Sequence, residues 1–420
     1  MSRLDALLAA LYHPDLRTIE PGLERMVKFL EALGDPHARL PPVIHIAGTN
    51  GKGSLLAYLR SVFAQAGLRA HAYTSPHLLR FNERIVLGGK EIGDDALTGY
   101  LEPVLALAWK VPVTFFEATT AAAFSAFAEH PADVLLLEVG MGGRLDATNV
   151  IEKPALTVIT PVALDHCEYL GGTLEAVARE KAGIIKRGMK CVVGRQHPQA
   201  MEVILHTAKV LEAPVYAMPE AWQVEAQGGE GVYTSAGYRL RFRPALMGRH
   251  QIDNAATAIA CLECLPQWHF TDEAVRHGLA AAEWPARLQR LADQGEKEVW
   301  LDGGHNPHGA EALAAWAAEK PDAPLLLVCG LMRRKDAKRF FAPFASHARK
   351  LFAVGIPGEE ESYPAAELAA LAAAAGIPSA ASSSLDAALA AALREAPPKG
   401  RILICGSLYL AGKVLSSMVS

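Results

Sequence analysis

The stretch "HIAGTNGKGSLLAYL", residues 45–59, decides how this chain is read. It is close to a phosphate-binding loop but misses the usual spacing, in which a glycine and four residues precede Gly-Lys and then Ser or Thr directly. Gly51-Lys52 is present, yet the position five before Gly51 is Ile46, and Gly53 separates Lys52 from Ser54. The surroundings fit better. "VIHIAG" (43–48) is a short β-rich run, and "SLLAYLRSVFAQA" (54–66) has apolar positions at helical spacing with Gly67 as a stop. In such a strand–loop–helix unit, Gly48, Gly51 and Gly53 let the backbone approach phosphate oxygens, the helix offers its N-terminal amides, and Lys52 reaches the terminal phosphates. The bland alternative is a Gly-rich turn; the context favours nucleotide binding.

The chain has 420 residues, more than one hydrophobic core ordinarily supports, so two domains are expected. Hydrophobic residues at 51% and charged residues at 20% supply a core and argue against disorder. A net charge of −4 without long Lys/Arg runs argues against a general nucleic-acid surface. "MSRLDALLAALYHPDL" reads as an amphipathic N-terminal helix and not as a signal peptide, and no apolar run reaches the roughly 18 residues of a membrane span. Cys261 and Cys264 form a lone C-x-x-C with no second ligand pair. A core role is therefore favoured over zinc or redox chemistry, and the scattered cysteines suit a cytoplasmic protein.

"RAHAYTSPHL", "DVLLLEVG" (133–140) and "ALTVITPVALDH" (155–166) are apolar runs with polar tails, with helical stretches between the first two. The alternation predicts an α/β fold: a mostly parallel sheet flanked by helices, with chemistry at the strand ends. From about 217 to 249 the texture becomes Gly-rich and alternating, which predicts a small antiparallel β subdomain, and "NAATAIACLECL" then starts a helix. "EWPARLQRL" (283–291) reads as a linker. Beyond it "KEVWLDGGHNPHG", "PLLLVCGL", "KLFAVG" and "RILICGS" alternate with Ala-rich stretches, which predicts a smaller Rossmann-like C-terminal α/β domain, with helices and not low-complexity linker in 364–394. The expected domains are 1–284 and 285–420.

Several strand tails carry chemistry. In "LEVGMGGRLDATN" (137–149), Glu138 ends a strand opposite the loop, where Mg²⁺ held by phosphate needs a carboxylate. "ALDHCEYLGGTLEAVAREKAGIIK" (163–186) supplies Asp165 and His166, and then Lys181 beside Arg179 and Glu180, a trio equally readable as a solvated face. "TSPHL" (74–78) alone is a Pro turn, and Asp302 and His305 in "LDGGHNPH" alone are an Asx turn with a polar cap.

Taken in order, "GLERM", "AGTNGKGS", "TSPHL", "FNERI", "TFFEATT", "EVGMGGRLDATN", "LDHCEYLG", "REKAGIIK", "HQIDNAATA", "PARLQ", "DGGHNPHG" and "CGSLYL" resemble the folylpolyglutamate synthase and dihydrofolate synthase family of the Mur ligase superfamily. The irregular loop is a trait of that family. The resemblance implies that Thr49, Asn50, Gly51, Lys52, Gly53 and Ser54 bind the phosphates of ATP, and that Asn254, Arg287 and Asp302 also contact ATP, with His305 near the phosphates. It implies two Mg²⁺ ions served by Ser75, Glu138, His166 and Lys181, the last as a carbamate. It also implies a pterin site formed by Glu20-Pro21-Gly22-Leu23, Thr114-Phe115-Phe116-Glu117 and Leu145-Asp146-Ala147.

A carboxylate is a poor electrophile, so amide formation requires its phosphorylation by ATP and attack on the acyl phosphate by the amine of L-glutamate. Lys52, Lys181, Arg287 and His305 are the residues expected to serve that reaction, with the nucleotide expected between the domains and domain closure excluding water. "RLDATN", with Asp146, resembles members that use dihydropteroate, so a bifunctional enzyme is expected, adding glutamate to dihydropteroate and then to reduced folates. The rivals are a monofunctional folylpolyglutamate synthase, a peptidoglycan-precursor ligase consuming a UDP-linked sugar acid, a P-loop NTPase switch, and an inactive folate-binding homologue. A monomer without an obligate partner is expected.

Overall fold

The computed structural model describes residues 2–12, 22–291 and 295–419. Glu20 and Pro21, expected to meet the pterin, lie outside the described residues. The chain divides into two compact units, Met1–Pro244 with Asp253–Ala282, and Ala245–Ile252 with Glu283–Ser420.

The first unit is built on eight strands: β1 (Val43–Ala47), β2 (Ala70–Tyr73), β3 (Ile85–Leu87), β4 (Lys90–Glu91), β5 (Val134–Glu138), β6 (Leu156–Ile159), β7 (Cys191–Val193) and β8 (Val215–Ala217). Their order is β4-β3-β2-β5-β1-β6-β7-β8; the run from β2 to β8 is parallel and the β3–β4 edge antiparallel. β1, β5 and β6 are buried at every residue, which is why they read as continuous apolar runs and not as alternating ones. His45 is the polar exception in β1, with no solvent exposure.

Helices cover both faces. On one, Asp94–Ala108 and Phe115–Glu129 pack with Val43, Tyr73, Leu135 and Leu137; on the other, Leu174–Ala182 and Pro198–Val210 pack with Ala47, Ile159 and Val193. Because β1 lies between β5 and β6, the carboxyl ends of β2, β5, β1 and β6 sit side by side. That edge is where an open α/β sheet receives its ligands.

The N-terminal helix runs Arg3–Leu11 and is closed by a reciprocal Ser2–Asp5 capping box. The antiparallel sheet is β9 (Trp222–Gln227), β10 (Glu230–Ser235) and β11 (Arg239–Phe242), with the stacked rings of Trp222 and Tyr233 on its buried side. The helix expected to start at Asn254 spans Arg249–Glu263; Gly248, at φ 102°, ends the preceding chain and moves the start forward. Cys261 and Cys264 are buried free thiols, as a core role predicts.

In the second unit the order is β12-β13-β17-β14-β15-β16, from β12 (Gln289–Arg290), β13 (Glu298–Leu301), β14 (Leu325–Cys329), β15 (Ala348–Ala353), β16 (Ser379–Ala381) and β17 (Arg401–Cys405). All neighbours are parallel except β12 and β13. One expectation changes here: the end of the supposed linker forms β12. The helices expected in the Ala-rich 364–394 stretch are present, with a strand between them. Gly376-Ile377-Pro378 ends the helix Ala365–Ala374, β16 pairs along β15, and a new helix, Leu385–Glu395, follows. Arg401 is buried because its guanidinium donates to the carbonyls of Ala317, Lys320 and Ala323, satisfying the carboxyl end of the helix Pro307–Ala318. Among the described residues no helix is long and apolar enough to cross a membrane.

Candidate active site

The glycine loop leaves β1 after Ala47 and turns into the helix Lys52–Gln65, the geometry that the 43–66 stretch predicts. Gly51 caps that helix at φ 89°, and a Cβ there would lie 2.6 Å from Asn254 Oδ1. The position therefore requires glycine, and Asn254 stands beside the loop. The Thr49 and Asn50 amides both donate to the Pro161 carbonyl, and the Thr49 hydroxyl donates to Ala163 O while accepting from Ala163 N. These two residues anchor the loop to the chain leaving β6. The helix N-terminus, from Gly51 to Ser54, is the part suited to phosphate.

Three charged side chains converge behind it. Lys52 Nζ lies 3.6 Å from Glu138 Oε1, both largely buried. The parallel register explains this, because Glu138 on β5 pairs with Ile46 on β1. Lys181, in the helix Leu174–Ala182, is buried and donates from Nζ to the Gly48 carbonyl at 3.0 Å. Burial lowers its pKa from 10.5 to about 7, with the Lys52 charge as the second cause; Asp165, Asp146 and Glu180 oppose the shift. The shift favours the uncharged amine far more than in a solvated lysine. The solvated-face reading holds for the exposed Arg179 but not for Lys181, and Glu180 pairs with Arg144 at 2.8 Å.

The remaining metal candidates take places on the same edge. Ser75 follows β2 in a loop held by Glu83, whose carboxylate accepts from the amides of Leu78, Leu79 and Arg80. His166 follows β6 at φ 51°, with its amide bonded to Asp165 Oδ1. Among the described residues no three His, Cys, Asp or Glu side chains form a group able to hold a metal ion. Mg²⁺ bound chiefly through phosphate needs fewer protein oxygens than that, and Glu138 supplies one beside the loop.

The pterin candidates form a second group. Thr114 caps the helix Phe115–Glu129: its Oγ1 accepts from Glu117 N, and Glu117 Oε2 accepts from Thr114 N. Arg25, next to Gly22-Leu23-Glu24, binds the same Glu117 carboxylate from Nε and Nη2. Glu117 therefore joins "GLERM" to "TFFEATT". The Phe115 ring stacks on Tyr12 at 3.9 Å, whereas Phe116 lies against Gly140, where a Cβ would come within 2.4 Å of the ring. On the same loop Asp146 is buried between the half-buried Leu145 and the buried Ala147, and its Oδ2 accepts from Met141 N. Burial pushes its pKa upward against four hydrogen bonds that pull it down. An aromatic face and a buried carboxylate thus flank Gly140-Met141.

Arg84 of "FNERI" was not foreseen as a site residue. It is buried, donates from Nε to His77 Nδ1, and lies over the Phe81 ring at 4.9 Å. Burial and the Arg84 charge hold His77 down at about 4, hence neutral. The quoted motif contained Arg84, but nothing in its spacing announces a buried cation.

In the second unit, Asp302 accepts from Leu288 N through Oδ2 and from Gly304 N through Oδ1, so the Asx-turn reading is realised. Asn306 caps the following helix, and His305 Nδ1 pairs with the Gly303 carbonyl. Arg287 donates from Nη1 to Ala286 O, and a Cβ on Gly303 would lie 2.8 Å from that same nitrogen. Arg287, Asp302 and the 303–305 turn therefore form one cluster.

Residues 46–262 match the Mur ligase middle domain, and residues 286–408 match the Mur ligase glutamate ligase domain. The chain is 40% identical over 316 residues to the dihydrofolate synthase/folylpolyglutamate synthase of Bacillus subtilis, covering 70% of this chain and 72% of that protein. It superposes on Escherichia coli FolC in complex with DHPP and ADP with a TM-score of 0.91 and 30% identity, covering 100% of this chain and 98% of the other. The bifunctional folylpolyglutamate synthase/dihydrofolate synthase of Yersinia pestis complexed with AMPPNP and Mn ion gives a TM-score of 0.90 and 32% identity, covering 100% and 99%. Both domain matches, the sequence identity and the full-length structural likeness agree: the chain belongs to the folylpolyglutamate synthase/dihydrofolate synthase family of the Mur ligases.

Proposed function

We propose that this protein is an ATP-dependent ligase that joins L-glutamate to dihydropteroate and adds further glutamates to reduced folates. The observation that carries the reading is the convergence of Lys52, Glu138 and Lys181 on the glycine loop, in a chain whose relatives bind ADP and DHPP. A buried carboxylate and Lys52 at a helix N-terminus suit a triphosphate with its divalent cation; they have no evident use in a plain turn.

The substrate carboxylate attacks the γ-phosphorus of ATP, and ADP leaves. The glutamate amine then attacks the acyl carbon of the mixed anhydride, and phosphate departs with the carboxyl oxygen. Lys52 neutralises charge developing on the phosphoryl oxygens and Asn254 is assigned to the nucleotide, while Arg287, Asp302 and His305 of the second unit keep the ATP roles that the family resemblance implies. Thr49 and Asn50 keep the loop in shape.

Lys181 cannot serve as an ammonium beside a divalent cation. Its depressed pKa supplies the neutral amine that attacks CO₂, forming an N–C bond and losing a proton, to give an anionic carbamate. Glu138, Ser75, His166 and this carbamate are the groups that would hold two Mg²⁺ ions, which when bound neutralise the triphosphate. The pterin is assigned to Phe116 and Asp146, with Gly22, Leu23, Thr114, Phe115, Glu117, Leu145 and Ala147 around it. A monomeric, cytoplasmic enzyme completes the reading.

The test is ADP release by the purified protein with Mg·ATP and glutamate, comparing dihydropteroate, tetrahydrofolate and no acceptor. Acceptor-dependent release with both is expected. Release with tetrahydrofolate alone would reject the dihydrofolate synthase half, and equal release without acceptor would reject the ligase.

A further inference from the structure

His45 sits at the centre of the first sheet, paired with Leu137 on β5 and Thr157 on β6, and is fully buried. A histidine in such an apolar strand calls for a reason. Its Nε2 lies 2.9 Å from Thr148 Oγ1, and the Thr148 hydroxyl donates to Asp146 Oδ1 at 2.6 Å. A hydroxyl has one proton, so with that proton given to Asp146 the imidazole must supply the other: Nε2–H donates to Thr148 Oγ1. Nδ1 is then the bare nitrogen, and among the described residues it has no hydrogen-bond partner. Desolvation, helped by the nearby Lys186 charge, holds the ring neutral with a pKa of about 3.

A carboxylate offers about four acceptor positions. The Thr148 N–H and O–H both go to Oδ1, at 3.0 and 2.6 Å, while Oδ2 takes the Met141 amide. The Gly140 amide also acts on this carboxylate, but of the close contacts two fall on Oδ1 and one on Oδ2, so Oδ2 is the oxygen with room for a ligand donor. Without the imidazole behind it, the threonine hydroxyl is free to turn away and Oδ1 is released.

We propose that His45 is a positioning residue for substrate recognition: through Thr148 it fixes the Asp146 carboxylate so that Oδ2 alone is offered to the N–H edge of the substrate's heterocycle. This rests on the assignment of the pterin to Asp146. The sheet thereby sets the ring's orientation from beneath, one residue before the Ile46 that pairs with Glu138.

The test measures KM for dihydropteroate, KM for ATP, kcat and melting temperature in five variants. His45→Leu and Thr148→Val should each raise KM for dihydropteroate about ten-fold while KM for ATP stays as in the native enzyme. His45→Gln, which keeps an N–H toward Thr148, and Thr148→Ser, which keeps the hydroxyl, should stay within about threefold. Unchanged KM for dihydropteroate in folded His45→Leu and Thr148→Val would overturn the relay. So would a loss shared equally by both substrates and the melting temperature, which marks mere packing. Should His45→Leu not fold, Thr148→Val with its serine control decides alone. Asp146→Asn separates the two levels. If it raises KM for dihydropteroate while the His45 and Thr148 variants do not, the relay fails and the pterin assignment stands. If Asp146→Asn leaves that KM unchanged, the assignment fails and the relay with it.

Discussion

Lys181 Nζ donates to the carbonyl oxygen of Gly48 at 3.0 Å, tying the helix Leu174–Ala182 to the first residue of the phosphate loop. The contact places a buried amine where a triphosphate is expected, and the amine's pKa decides what it can do there.

The stability of the ligand-free protein should depend on pH through this lysine. Unfolded, it binds a proton up to about pH 10.5; folded, only up to about pH 7. Between those values the unfolded chain holds more protons, so stability rises with pH across that window, and the full penalty of burying the charge applies below about pH 7. Lys181→Met should abolish turnover yet raise the melting temperature at pH 6–7 by about 2 °C or more, and it should flatten this rise. Thermal unfolding from pH 6 to 9 in CO₂-free buffer measures it; equal slopes in both proteins would reject the assigned pKa.

Lys52→Ala should lower kcat by at least about 10²-fold, since it removes a cation from the forming phosphoryl charge. Glu138→Gln should weaken binding of the divalent metal. Titration of activity with Mg²⁺ distinguishes the two, because only the second variant should need markedly more metal.

Glu117 closes a helix N-terminus and holds Arg25 at once, so Glu117→Ala removes a cap and strands a half-buried guanidinium. A loss of about 2–3 kcal/mol is expected, read from the urea midpoint. A change under about 0.5 kcal/mol would show that neither contact bears on stability.

Gly143 approaches the helix that carries Lys181: a Cβ there would lie 2.7 Å from Glu180 O and 3.1 Å from Lys181 Cα. Gly143→Ala should cost about 1–3 kcal/mol and displace the lysine. Stability and kcat should fall together, and a normal kcat in a destabilised variant would count against the coupling.

The phosphate loop, the strand runs and the order of the motifs were legible because each is local: apolar runs, glycines and a Gly-Lys pair sit next to one another in sequence. The burial of Lys181 was not, since Arg179 and Glu180 beside it read as a wet face and only the meeting with Gly48 draws it inward. Arg25 and Glu117 are 92 residues apart, and no spacing rule joins them. Residues 379–381 escaped notice because an edge strand of Ser and Ala carries no apolar alternation, and its pairing with β15 alone defines it. His45 looked like an ordinary strand residue until Thr148 and Asp146 gave it partners.

The tether from Thr49 and Asn50 to Pro161 and Ala163 has a thermodynamic side. A cradle already braced by the adjoining strand's exit sacrifices little freedom when its guest arrives, so more of the contact energy survives as affinity. Slackening that brace, as Thr49→Val would, should show up calorimetrically as a larger entropic penalty on nucleotide association.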